Sequence, residues 1–154
     1  MRFSHTNLLI LSGLIWLGVG CMLFPKGLEF VFSSLEQSAL YISVLTGFLG
    51  KNIAAGIWIL LALVLGYYKG KFVLSKTVLR AARNLESLAN PAKVGDLFSR
   101  NYLILIAVMM GIGMGMNFLG VPIDMRGFID IAVGAALIYG SILYFRTARA
   151  LSQA

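Results

Sequence analysis

The chain has almost none of the side chains on which metal, redox or nucleophilic chemistry depends. It contains one cysteine, Cys21, and one histidine, His5, in 154 residues. One cysteine cannot close an intramolecular disulfide, and this pair does not supply the ligand set of a zinc, haem or iron-sulfur site. The apolar runs hold no nucleophile with a neighbouring acid and base. We therefore expect no cofactor, no metal site and no enzymatic activity.

Charged residues are also scarce, and acidic ones are the fewest. Only 12% of the residues are charged and 59% are hydrophobic, with a mean hydropathy of +0.87. These values exclude an ordinary soluble domain and favour an integral membrane protein. Thirteen basic and six acidic residues give a net charge of +7. In a membrane protein such an excess sets the orientation, so it does not indicate a nucleic-acid partner.

Four apolar runs are long enough, with their flanks, to form transmembrane helices, which need about 20 residues. Pro25 and Pro122 are expected to end the first and third helices, because proline has no amide hydrogen for the helix. The runs show no strand-like alternation, so the predicted fold class is an all-α integral membrane protein with four spanning helices. The runs are 8–24, 52–68, 101–121 and 127–145.

The basic residues indicate the topology. Arg2, the segment 69–100 and the tail with Arg146 and Arg149 hold ten of the thirteen. Cytoplasmic loops of membrane proteins are rich in Lys and Arg, so we expect both termini in the cytoplasm and the chain in the plasma (inner) membrane. The predicted organisation is one membrane domain, 1–154, with hairpin 1 at about 4–68, a cytoplasmic basic helix and loop at 69–100, and hairpin 2 at about 101–146.

A weak internal repeat relates the two predicted hairpins. FSHTNLLILSGLIWLGVGCMLF, from Phe3, aligns without gaps with FSRNYLILIAVMMGIGMGMNFL, from Phe98, and NIAAG at 52–56 aligns with DIAVG at 130–134. The repeat is parallel, because the first and third helices run in the same direction. Segment 28–50 has no counterpart in the second half. We expect it to lie at the outer interface or to cap the bundle, with a single tilted helix over 39–68 as the alternative.

The segment KGKFVLSKTVLRAAR, which follows the second span, is predicted to form an amphipathic cytoplasmic helix. On a helical wheel its apolar residues gather opposite a basic face. Such a face favours contact with anionic lipid head groups or with a protein partner. The alternative is that these charges only set the topology. The basic face is Lys69, Lys76, Arg80 and Arg83.

Small residues recur at the four-residue spacing that lets helices approach closely in lipid. We expect these stripes to pack the helices within one chain or to form a homodimer face. The predicted helix-packing residues are Gly66, Gly70, Gly111, Gly115, Ala132, Ala136 and Gly140.

One ionisable residue, Asp130, is predicted within the membrane, about one turn into the fourth helix. Arg126 precedes it by four residues, and Lys51 lies at a similar depth if the repeat holds. Because intramembrane ionisable residues are commonly functional, Asp130, Asn52, Lys51, Arg126 and Asn117 form a candidate ion, proton or substrate site at the outer mouth. The structural alternative is a carboxylate stabilised by the helix dipole and by a basic neighbour.

The segments KGKFVLSKTVLRAARNL and DMRGFIDIAVGAALIYGSILYFR resemble a recurring pattern of small, uncharacterised bacterial four-helix membrane proteins. The resemblance covers about the last two-thirds of the chain and implies an architecture without an activity. The small multidrug exporters fit less well, because they depend on a glutamate within the first helix and the run 8–24 has no carboxylate.

These features favour a non-enzymatic polytopic membrane protein that acts through helix association, as a homo-oligomer or as an accessory subunit of a membrane complex. The alternative is a small oligomeric transporter or channel with a polar outer mouth around Asp130.

The predicted topology is tested with a reporter inserted at Asn90. A reporter that is active only in the cytoplasm is expected to be active there, because the loop carries the basic residues that membrane insertion retains inside. A reporter active only outside, inserted at the same position, is the control. Activity of that control would overturn the topology.

Overall fold

In the parts that the computed structural model describes, residues 2–3, 5–37, 40–86, 92–93, 111, 115–116 and 118–153, the chain is almost wholly helical. The elements are β1 (Arg2–Phe3), α1 (His5–Glu36), α2 (Leu40–Leu49), α3 (Lys51–Lys69), a π-helical turn (Gly70–Leu74), α4 (Ser75–Glu86), β2 (Ala92–Lys93) and α5 (Ile123–Gln153). β1 and β2 pair antiparallel, with Arg2 opposite Lys93. The predicted helical class is confirmed.

Three helical stretches are long and apolar enough to cross a membrane. They are Thr6–Glu36, Lys51–Arg80 and Ile123–Ala150. They coincide with the first, second and fourth predicted spans. Their length and hydropathy are consistent with an integral membrane protein. The third predicted span, 101–121, falls largely outside the described residues. The four-span architecture and the internal repeat therefore stay predictions.

The prediction that Pro25 ends the first helix is wrong. α1 continues for 32 residues and contains Pro25, so residues 28–36 extend this helix and do not form an interfacial segment. Proline leaves the carbonyl four residues earlier, that of Cys21, without its helical partner. Neighbouring helices make this loss tolerable in membrane proteins. Here Gly20 and Gly27, on either side of Pro25, both pack on α5 and hold the two halves of α1 in line.

α2 is a short helix separate from the second span. Gly50 has a φ of +82° between α2 and α3, a conformation that glycine adopts readily and other residues do not. Its amide donates to the carbonyl of Thr46 at 3.1 Å, and its carbonyl accepts from the amide of Ala54 at 3.0 Å. The chain therefore turns with both backbone groups of Gly50 paired. The alternative of one continuous helix over 39–68 is wrong.

The most extensive helix contact joins α1 to α5, which run antiparallel with their backbones in contact. The glycines of this seam are spaced seven residues apart, at Gly13, Gly20 and Gly27 on α1 and at Gly127 and Gly134 on α5. A methyl group on Gly27 would lie 2.7 Å from the amide nitrogen of Ile131, and one on Gly134 would lie 2.9 Å from that of Phe24. A seven-residue period keeps one stripe on the partner helix along the whole contact.

α3 packs along another face of α5 and runs parallel to it. Gly66 touches the carbonyl of Ala132, and Gly70 lies against Ala136. One turn further, Gly140 lies against Leu74. The four-residue stripes of α3 and α5 therefore meet each other within one chain. Among the described residues, no atom comes within 4 Å of a methyl group placed on Gly111 or Gly115, so that pair takes no part in this seam.

The buried apolar core lies where α1, α2, α3 and α5 meet, near the start of α5. Its fully or almost fully buried members are small or β-branched, which suits helices that approach closely. They are Val31, Ile42, Ala54, Ala55, Ala62, Ile131 and Ala132. α2 therefore covers one end of the bundle, called the α2 end below. The opposite end, where α4 leaves the bundle, is called the α4 end.

The glycine seam is tested by comparing Gly27→Ala with Gly18→Ala on the same helix. Gly27→Ala is expected to lower the free energy of unfolding in detergent by about 1–3 kcal/mol, because its methyl group overlaps the α5 backbone. Gly18 has nothing within 4 Å of such a methyl group and is the matched control. Equal stability of the two variants, measured by thermal unfolding, would contradict the seam.

Candidate functional site

A cluster of ionisable side chains lies at the α2 end, on the seam between α1 and α5. Asp130 of α5 is half-buried, and the positive charges that act on it are those of Arg126 and Lys26. Lys26 is exposed on α1. Among the described residues, none of the three forms an ion pair within 4 Å. Lys26, Arg126 and Asp130 are called the charged cluster below.

Arg126 is held by an aromatic ring and makes no salt bridge with Asp130. The carbon at the centre of its guanidinium group lies 4.9 Å from the centre of the Phe30 ring. A cation over an aromatic face is stabilised by about 0.5–2 kcal/mol, depending on its desolvation. Because Phe30 belongs to α1, this contact joins α1 to α5. The expected pairing of Arg126 with Asp130 is thus replaced by a longer-range attraction.

The charged cluster lies beside the apolar part of α3. Counting back from the contact of Gly66 with Ala132 puts Val64 level with Asp130. Val64 is 46% exposed and the next residue, Leu65, is 44% exposed. Both belong to the second candidate membrane span, so Asp130 shares its depth with side chains suited to lipid. The charges of the cluster are therefore placed where charge is costly.

Lys51 and Asn52 do not share the depth of Asp130. Both are exposed at the start of α3. Lys51 precedes Val64 by about 13 residues, which is roughly 20 Å along a helix with a rise of 1.5 Å per residue. The expectation that Lys51 lies at the depth of Asp130 is wrong, because the contacts of α3 with α5 set a different register from the sequence repeat. Asn117, the remaining member of the predicted site, lies outside the described residues.

Asp124 is the polar residue of this end that the sequence did not single out. Its side chain is fully buried. One carboxylate oxygen, Oδ2, accepts hydrogen bonds from the backbone amides of Tyr41 at 2.8 Å and of Ile42 at 3.0 Å. The other, Oδ1, accepts from the amide of Met125 at 2.8 Å. The first amides of a helix have no partner within it, so Asp124 caps α2 from a distant part of the chain.

The backbone of Asp124 also binds α3. Its carbonyl accepts a hydrogen bond from Nε1 of Trp58 at 3.1 Å, and the Trp58 ring lies 5.1 Å from that of Phe128. The start of α5 is thus tied to α2 and to α3 by three long-range hydrogen bonds. These contacts fix the α2 end and use both oxygens of the Asp124 carboxylate, which is fully buried. We assign Asp124 a structural role.

The sequence contained only a weak signal for Asp124. An acidic residue two positions after Pro122 is typical of the first turn of a helix, where the helix dipole favours negative charge. That signal predicts a cap for the helix on which the residue lies. It does not predict that the carboxylate binds α2, which is more than 80 residues away.

The predicted basic residues all reach the surface near the α4 end. Lys69, Lys76, Arg80 and Arg83 are exposed, but so is Lys71. The wheel that grouped the first four assumed an unbroken α-helix. The π-helical turn at Gly70–Leu74 holds more residues than an α turn, so Lys69 cannot be placed on the face of α4 by that wheel. Leu74 and Val78, which the wheel placed on the apolar face, are buried.

Metal-binding and other side chains were compared in the part of the chain that the structure describes. Within it, no three His, Cys, Asp or Glu side chains lie close enough together to hold a metal ion. Cys21 is an exposed free thiol on α1. Because α1 continues past Pro25, it also carries Glu29, which is exposed. The first helix therefore does contain a carboxylate, contrary to the comparison with the multidrug exporters.

Comparison of the chain with protein-family models, with curated proteins and with solved structures gives no match. The function is therefore argued from the geometry of the site.

The capping role of Asp124 is tested with Asp124→Ala. We expect it to lower the free energy of unfolding by about 1–3 kcal/mol, because two amides of α2, that of Ile42 buried, lose their acceptor. Hydrogen exchange at the amides of Tyr41 and Ile42 should accelerate at the same time.

Asp130→Ala is the matched control on the same helix, since the Asp130 carboxylate accepts no hydrogen bond from a described residue. Asp124→Asn, which keeps one acceptor oxygen, should be intermediate. A loss of stability as large for Asp130→Ala as for Asp124→Ala would contradict the assignment.

Proposed function

We propose that this chain is a non-enzymatic polytopic membrane protein that acts by associating with another membrane helix, either of a second copy or of a larger complex. The association uses the α1 and α5 surface at the α2 end. The observation that carries this proposal is the charged cluster, whose Lys26 is exposed on a spanning helix beside apolar residues and lacks an ion pair among the described residues.

The physical reason is the cost of unpaired charge in lipid. A charged side chain near the centre of a spanning helix costs about 2.5–3.5 kcal/mol on insertion scales, and such side chains are usually found paired or facing protein. Lys26 and Arg126 bring two positive charges to one half-buried carboxylate, Asp130. A partner helix with an acidic side chain would complete the pairing. Glu29, three residues from Lys26 and exposed, would offer a negative charge to the same partner.

We also propose that the chain has four spans, with both termini on the same side of the membrane. β2 pairs with β1 at the start of α1, whereas Ile123 lies near the other end of α1, because Gly127 packs beside Gly27 and Val31. Lys93 and Ile123 thus lie at opposite ends of α1, which supports a span between them. The predicted third span, 101–121, falls in this interval. With the basic α4 end in the cytoplasm, the charged cluster lies in the outer half of the membrane.

The second candidate function is a small oligomeric transporter or channel. It is favoured by Asp130, which is half-buried at the depth of apolar α3 residues and, unlike Asp124, accepts no hydrogen bond from a described residue. In this case Asp130 would bind an ion or a proton between chains, and Arg126 would set its charge balance. Asn52 and Lys51 take no part in this version, because they lie near the tip of α3.

Association is tested by cross-linking in native membranes, in a background that carries Cys21→Ser. A cysteine in place of Met22, which is 62% exposed and one turn before Lys26 on the same face of α1, is expected to form a cross-linked product with a second chain. A cysteine in place of Leu14, which is 53% exposed towards the other end of α1, is the matched position and should stay monomeric. Equal cross-linking at both positions would contradict a contact at the α2 end.

The role of the charges is tested in the Met22→Cys background with Lys26→Gln and with Asp130→Asn. Each should lower the yield of cross-linked product about tenfold. Lys26→Gln would leave the acidic side chain of the partner without its counter-charge in lipid, and Asp130→Asn would leave two positive charges of the cluster to one acidic partner. Lys69→Gln, an exposed charge on α3, is the control and should leave the yield unchanged.

Flux of cations or protons into proteoliposomes separates the two functions. Loss of flux in Asp130→Asn, with an unchanged yield of cross-linked product, would favour transport and would exclude association through Asp130.

A further inference from the structure

A groove runs between α1 and α5 at the α4 end, far from the charged cluster. It is 270 Å³ in volume. One wall is formed by two residues of α1 that are one turn apart, Thr6 and Ile10. The other wall is one face of α5, with Phe145, Ala148, Arg149 and Ser152. Neither wall belongs to the basic face of α4.

The groove is polar at the tip of the bundle and apolar towards its middle. α1 and α5 are antiparallel, so Thr6 lies near Arg149 and Ser152, whereas Ile10 lies near Phe145. Arg149 and Ser152 are exposed, and Ala148 at the floor is buried. A second, apolar groove along α1 shares Ile10 and continues to Leu11 and Leu14. Apolar surface on both sides of Ile10 therefore leads from the polar tip into the bundle.

Charge at this end of the bundle is positive. Its exposed basic side chains include those of Lys69, Lys71, Lys76, Arg80, Arg83, Arg146 and Arg149. Anionic head groups are attracted to such a surface by about 1 kcal/mol for each basic residue close to it.

We propose that this groove binds one anionic phospholipid. The lipid phosphate lies on the guanidinium of Arg149 and accepts a hydrogen bond from the hydroxyl of Thr6. One acyl chain follows Ile10 and Phe145, and the other follows Ile10 and Leu14. The order of polar and apolar surface along the helices matches the order of head group and chain in a lipid whose head is at the α4 end.

The dimensions favour a lipid over a soluble ligand. Pockets that enclose a small ligand usually measure about 300–1,000 Å³, and this groove is smaller and open along its length. It can hold part of a molecule whose remainder stays in the bilayer. A guanidinium group is suited to the phosphate, because it donates several hydrogen bonds in one plane.

Native mass spectrometry of the purified, delipidated protein tests the proposal with phosphatidylglycerol and phosphatidylcholine of the same acyl chains. We expect one phosphatidylglycerol per chain, bound several-fold more tightly than phosphatidylcholine. Arg149→Gln should weaken phosphatidylglycerol binding about fivefold, which corresponds to about 1 kcal/mol for one basic residue. Thr6→Val, which removes the hydroxyl and keeps the shape, should also weaken it.

Arg146→Gln is the matched control, because it removes the same charge from an exposed position of the same helix outside the groove. It should change the affinity by less than Arg149→Gln does. Equal losses for the two variants, or equal affinity for the two lipids, would overturn the proposal. Inorganic phosphate at millimolar concentration should not displace the lipid. Displacement would identify a phosphate site and would equally overturn it.

Discussion

Contact between the backbones of α1 and α5 is the constraint on which the rest of the architecture depends. Helices in lipid gain little from burying apolar side chains, so their association relies on close packing. Here Gly20 and Gly27 meet Gly127 and Gly134, and a single methyl group at Gly27 would overlap the partner backbone. α5 then offers a second stripe of small residues to α3. Among the described helices α5 is thereby the central one, and it positions the two carboxylates that distinguish the α2 end.

Those carboxylates, Asp124 and Asp130, lie six residues apart on one helix and have opposite surroundings. Asp124 is buried and receives hydrogen bonds from the amides of Tyr41, Ile42 and Met125, so it holds α2 to the bundle. Asp130 is half-buried, influenced by two cations and paired with neither. A buried carboxylate that accepts several hydrogen bonds stabilises a fold, whereas one without a close partner among the described residues, in an apolar layer, is available to a partner helix or an ion. The contrast is the reason for proposing association through the charged cluster.

The two ends of the bundle carry different chemistry. At the α2 end, charges of both signs lie beside apolar α3 residues. At the α4 end, basic residues are exposed, and a groove between α1 and α5 changes from polar to apolar along its length. The first arrangement suits a protein contact within the membrane and the second suits an anionic lipid. Both arise because α1 and α5 are antiparallel, which brings Thr6 beside Arg149 at one end and Lys26 near Asp130 at the other.

The sequence by itself determined the helical membrane class, three of the spans, the continuation of the second span into a basic helix and the small-residue stripes at Gly66 and Ala132. These follow from hydropathy and short-range spacing, which are properties of one segment at a time. Only the tertiary structure decided that α1 passes through Pro25, that Asp124 caps α2 and that Lys51 lies far from the level of Asp130. Each of these depends on contacts between residues distant in the chain. A helix tolerates an internal proline when the turns on either side of it pack against another helix. The cap of α2 and the depth of Lys51 relative to Asp130 are set in the same way, by contacts with α5.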